Sequence, residues 1–120
     1  MNNQITCMFE MDVRPGMLES FRKVIQQAVS ATRQEPGVLI YEYGISDDGQ
    51  KAYIVERYQA DALIPHVDET FAPFAQPFVD HVTFARLTVF GDATAAMRQR
   101  LDAFGAVYVK TYAGFDRFPT

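Results

Sequence analysis

The stretch PGVLIYEYGISDDGQKAYIVERY, residues 36–58, decides the fold. Two runs rich in β-branched and aromatic residues, 38–45 and 52–58, flank the polar turn Ser46-Asp47-Asp48-Gly49-Gln50 and so read as an antiparallel hairpin. Pro36-Gly37 in front of it stops one element and launches the next. On the second strand Ile54, Glu56 and Tyr58 share one face, while Tyr53, Val55 and Arg57 share the other. A lone buried carboxylate is costly, so Glu56 is expected either to neutralise or to meet a donor.

Upstream, Ile5, Cys7, Phe9, Met11 and Val13 alternate with Thr6, Met8, Glu10 and Asp12, the period of a half-buried strand. Pro15-Gly16 ends it, and Met17 to Thr32 follows a helical period with Phe21, Val24 or Ile25, Ala28 and Val29 on one stripe. Downstream, residues 59–81 read as helical, but Pro65, Pro73 and Pro77 forbid one continuous helix, so short pieces bent around a cavity are expected. Residues 82–90 form a fourth strand.

The order strand, helix, strand, strand, helix, strand is α+β, the ferredoxin-like split βαβ arrangement (βαββαβ). It implies a four-stranded antiparallel sheet with helices on one face. The other face carries Met8, Val38 and Ile40 among polar residues, and a second copy of the chain is its natural cover. Residues 91–120 form a tail beyond the 5–90 core, with a helix over 93–104 and a strand or extended arm over 106–112 that either lengthens the sheet or wraps the partner. The 120 residues read as one domain.

A formal charge of −4 with 11 scattered basic residues argues against nucleic acid and anionic membranes. No run approaches the roughly 20 apolar residues that span a bilayer, and the first residues lack the pattern of a secretory signal. The single cysteine, Cys7, lies in an apolar strand and fits an inert thiol in a reducing cytoplasm.

His66 follows Pro65, and a chain turning back after Tyr58 can set its imidazole over the strand's helix-facing side. Histidine exchanges protons near neutrality, Glu56 could orient it, and Tyr58 could supply a hydroxyl and a stacking wall. The same residues also read as a strand-end packing pair with a capping or surface histidine. Tyr41, Tyr43, Ile54, Phe71 and Phe74 are expected to line a pocket for a planar aromatic molecule, although such a stripe is more often the pattern of plain core. His, Cys and acidic residues fall in no metal-ligand spacing, and there is no GxGxxG or Walker motif, so neither a metal nor a nucleotide cofactor is expected.

The ordered set Val13-Arg14-Pro15-Gly16-Met17, residues 34–42, Val55-Glu56-Arg57-Tyr58, Ala62-Leu63 and His66 resembles the antibiotic biosynthesis monooxygenase family. The resemblance covers residues 5 to about 90. It implies a dimeric α+β barrel with one pocket per subunit between sheet and helices. Several members of that family oxidise quinol or polyphenol substrates with molecular oxygen and neither metal nor flavin. Carried over residue by residue, His66 is the helix histidine, Tyr58 the strand-end aromatic and Glu56 the acidic residue two before it. Tyr58 stands where the family commonly has Trp, a residue this chain lacks, and Ile54 stands where the haem-degrading branch has Asn. Three readings follow: a cofactor-independent monooxygenase on a small aromatic or quinol-like substrate, an isomerase of a small keto metabolite, and a non-catalytic small-molecule-binding dimer.

Overall fold

A computed structural model of the chain describes residues 3–117. Strand β1 (Gln4–Val13) is the middle of a sheet ordered β2-β3-β1-β4-β5, with β2 (Val38–Ile45), β3 (Lys51–Gln59), β4 (Val82–Phe90) and β5 (Ala106–Val109). The alternation in β1 sets its faces, with Ile5, Cys7, Phe9 and Met11 no more than 9% exposed and Met8 45% exposed on the opposite side. The sheet has five strands rather than the expected four, because the tail adds β5 parallel to β4 at the edge. All other pairings are antiparallel.

Helices cover the face that Ile5, Cys7, Phe9 and Met11 present. Helix α1 (Leu18–Thr32) buries Phe21, Val24, Ile25 and Ala28, the stripe its period marks. Phe21 and Phe78 are both fully buried, and their rings meet edge to face at 5.3 Å, which pins α1 to helix α3 (Ala72–His81). Such a pair contributes about 0.5–1.5 kcal/mol beyond the area it buries.

Between β3 and α3 the chain makes three tight pieces: a 3-10 turn (Ala60–Ala62), the single α-turn α2 (Leu63–Pro65) and a π-helical turn (His66–Thr70). The π-turn closes with the Phe71 amide donating to the His66 carbonyl at 2.7 Å. This is the bent, proline-broken path expected for 59–81, with Pro77 carried inside α3.

The turn between α1 and β2 lies directly against these pieces. A Cβ on Gly37 would stand 2.6 Å from Cβ of Ala62, so only glycine allows the two segments to meet as they do. The Gln59 amide donates to the Gly37 carbonyl at 2.8 Å across the same junction.

Helix α4 (Ala95–Leu101) is shorter than the expected 93–104 and continues as a 3-10 turn (Asp102–Phe104). Thr94 caps it, its hydroxyl oxygen accepting from the Met97 amide at 3.2 Å. Met97 and Leu101 are buried against the same face as the other helices. Arg100 ties α4 to the π-turn through both carboxylate oxygens of Asp68, the shortest contact being 2.8 Å.

The opposite sheet face is open, with Met8, Tyr53, Phe90 and Val107 exposed. Val38, expected there, pairs with Tyr58 and packs into the helix-facing core instead, because the register slips between Val38 and Ile40. No helix among the described residues is long and apolar enough to cross a membrane.

Candidate functional site

Strand β3 brings Ile54, Glu56 and Tyr58 to the helix-facing side, as the alternation requires, and the broken segment lays His66 over them. Together they wall a small cavity of about 30 Å³. From the sheet it is lined by Cys7 and Phe9 of β1 and Phe84 of β4, and from the helices by Leu63, Val67, Phe71 and Phe78. The tail closes the remaining side with Leu101 and Phe104.

His66 is only 3% exposed, and its Nδ1 lies 2.7 Å from Oε1 of Glu35. A carboxylate can only accept, so in this pairing Nδ1 carries the proton, and in the neutral ring Nε2 keeps its lone pair. Aromatic rings cage the imidazole: Tyr41 and Tyr58 with centroids at 5.4 Å each, and Phe71 at 6.2 Å. Glu35 is half-buried and also borders an outer depression of about 220 Å³ lined by Val29, Thr32, Arg33, Val38 and Tyr41.

Glu56 is 7% exposed and accepts a short hydrogen bond of 2.5 Å from the Tyr58 hydroxyl. Burial pushes its carboxyl up to about 7, and the Tyr58 hydrogen bond holds it back from rising further. The Tyr58 phenol is itself raised, by burial first and then by neighbouring Glu56. Burial also raises the Cys7 thiol, with Glu56 adding to the effect, which makes Cys7 the inert wall residue its strand position implies.

The expected pocket residues divide. His66, Glu56, Tyr58, Ile54 and Phe71 line the cavity. Tyr41 and Tyr43, joined hydroxyl to hydroxyl at 2.7 Å, stand behind it, against the rings of His66 and Phe78 respectively. Phe74 packs on the core without reaching the cavity wall. Glu56 shares the cavity with His66, but the hydrogen-bonded partner of the imidazole is Glu35.

Glu35 is the residue that the sequence reading missed, and a signal for it existed. It follows the C-terminus of α1, where the helix dipole disfavours an acidic side chain, so a carboxylate there calls for a donor from elsewhere. Among the described residues no three His, Cys, Asp or Glu side chains gather as a metal site.

Residues 4–66 match the family model described as antibiotic biosynthesis monooxygenase. The chain belongs to that family. The match runs from the start of β1 to the imidazole itself, and the wall supplied by 95–104 lies beyond it. A comparison with curated proteins finds no match.

Among solved structures, MupZ from Pseudomonas fluorescens superposes with a TM-score of 0.85 at 22% identity, covering 98% of this chain and 91% of that one. A variant of SnoaB, a cofactor-independent oxygenase from Streptomyces nogalater, gives 0.66 at 16% identity over 78% of this chain and 96% of that one. A putative antibiotic biosynthesis monooxygenase from Bacteroides thetaiotaomicron gives 0.63 at 23% identity over 77% and 89%. These likenesses establish the shared α+β family fold.

Proposed function

We propose that the chain is a cofactor-independent monooxygenase for a small aromatic or quinol-like substrate, with His66 as the proton-accepting residue. One observation carries this reading: a buried imidazole, tied through Nδ1 to a carboxylate, on the wall of an apolar cavity whose other polar groups are Glu56 and Tyr58. Nε2 takes the phenolic proton, and the phenolate reduces molecular oxygen by one electron. Recombination forms a carbon–oxygen bond, and loss of water leaves a quinone, so one oxygen atom stays in the product and the other leaves as water. Apolar walls keep solvent from the intermediates. A Glu56 carboxyl near neutrality is suited to protonate the departing oxygen.

The description of SnoaB as a cofactor-independent oxygenase supports the oxygenase reading over others available to this fold. A second reading rests on the same two acid–base groups. His66 and Glu56, facing one cavity, could move a proton between carbons of a small keto metabolite without oxygen. Oxygen uptake on a panel of quinols, with and without His66→Ala, tests the first reading; a loss of at least 100-fold is expected. Uptake unchanged by that substitution would sink it, and product formed under argon would favour the isomerase.

We also infer a homodimer through the open sheet face, whose exposed Met8, Phe90 and Val107 form an apolar area of the kind a partner covers. Light scattering at micromolar concentration should return twice the chain mass of 13.6 kDa, and a monomer would overturn this.

A further inference from the structure

A cavity of about 30 Å³ has room for roughly two water molecules, whereas a pocket that takes up benzene measures about 150 Å³. Some part of the wall therefore yields when an aromatic ring binds. Cys7, Phe9, Ile54, Glu56 and Tyr58 are buried side chains on β1 and β3, two of the three inner strands, and a ring that displaced them would disturb the middle of the sheet. Phe104 is placed differently. Like Val67, Phe71 and Phe84 on the same wall it is half-buried, but of these it alone sits at the end of the Asp102–Phe104 turn, held between a seven-residue helix and a four-residue strand at the sheet's edge.

The phenyl ring of Phe104 stands edge to face with Phe9 at 5.7 Å and 89°, and with Phe84 at 4.9 Å and 69°. A substrate ring could take over both contacts. Gly105 follows at φ +70, a conformation that glycine adopts freely, with open space around it. The turn thus ends on a joint with no side chain to unpack.

We propose that Phe104 is the specificity-determining residue of the cavity: its ring holds the place of a substrate's single aromatic ring, which enters by displacing Phe104 together with the 102–109 segment. The proposal rests on the reading of this cavity as the substrate site. It assigns to the tail, which lies outside the family match, the choice of what is admitted. A compact one-ring phenol replaces Phe104 like for like, and a fused two-ring compound exceeds the vacated space.

Phenol and 1-naphthol are the probes, titrated under argon by calorimetry into wild type, Phe104→Ala and the milder Phe104→Leu, with hydrogen exchange followed by mass spectrometry. Phenol should bind Phe104→Ala at least tenfold more tightly than wild type, with Phe104→Leu between them, and 1-naphthol should gain less. In wild type, bound phenol should speed exchange over 102–109, and in Phe104→Ala this change should vanish. Equal phenol affinity in all three proteins, absence of binding to any of them, or slowed exchange over 102–109 in wild type overturns the proposal. Tighter phenol binding by Phe104→Ala with no quinol oxidised would leave Phe104 in this role and remove the oxygenase reading. Loss of turnover in His66→Ala with unaltered phenol affinity in Phe104→Ala would do the reverse.

Discussion

Oε1 of Glu35 lies 2.7 Å from Nδ1 of His66, although 31 residues separate the two in the chain. The pair holds a buried imidazole in one tautomer and one orientation. A carboxylate that orients a metal-bound histidine is typically worth about 10–100-fold in activity, and Glu35 orients His66 through the same kind of bond. Glu35→Gln should lower kcat by about that factor while KM changes little. The chain has two histidines, so nitrogen-15 spectra can follow His66 directly. The wild type should show a protonated Nδ1 and a bare Nε2, and the variant a mixture; identical ring shifts in both would show that Glu35 does not set the tautomer.

Glu56 makes stability depend on pH. Its carboxyl is raised from 4.5 to about 7 in the folded state, by burial above all. The folded protein therefore holds this proton more tightly than the unfolded chain, and stability falls as pH rises from about 4.5 through 7. The effect of this one group is on the order of 3 kcal/mol. Urea denaturation at pH 4.5 and 7.5 should show that decline in wild type and a flatter profile in Glu56→Gln. Equal slopes in the two proteins would locate the pH dependence elsewhere.

Gly37→Ala puts a methyl group 2.6 Å from Cβ of Ala62. Forced overpacking of this kind costs about 1–3 kcal/mol. Activity should drop as well, since the junction that must shift carries Glu35 on one side and leads to His66 on the other. Adding Ala62→Gly to Gly37→Ala should recover part of both losses, and a double variant no better than the sum of the singles would refute the contact.

Cys7 is 1% exposed, with its thiol raised by burial. A thiol reagent at pH 8 should label the native protein no faster than it unfolds. Labelling that stays fast when urea is absent and unfolding is slow would contradict the buried, protonated thiol.

What the chain announces about its fold is what is local. The alternation of β1, the hairpin turn at 46–50 and the prolines Pro65 and Pro73 each act within a few residues and led to the elements observed, whereas Pro77 is carried inside α3 without ending it. The strand β5 was harder to place, because four residues at a sheet edge owe their pairing to how α4 folds back rather than to their own pattern. At the site, the faces of Ile54, Glu56 and Tyr58 followed from period two alone. Depth did not follow: Tyr41 and Tyr43 share that face but lie behind His66 and Phe78, since the helices decide which part of the face remains open. Glu35 depended on a meeting of two turns that no short pattern encodes, although the glycine enabling it was in plain view.

The π-turn over His66–Thr70 holds one more residue than an α-turn would. Removing any single residue between 67 and 70 would restore ordinary helical spacing and swing the segments on either side by about 100° relative to each other. With α3 anchored by Phe78, the swing would fall on His66 and turn its imidazole away from both Glu35 and the cavity. The site is therefore guarded by chain length as well as by side-chain identity. A one-codon deletion of Asp68, Glu69 or Thr70 is expected to disable the site while altering no residue that lines it.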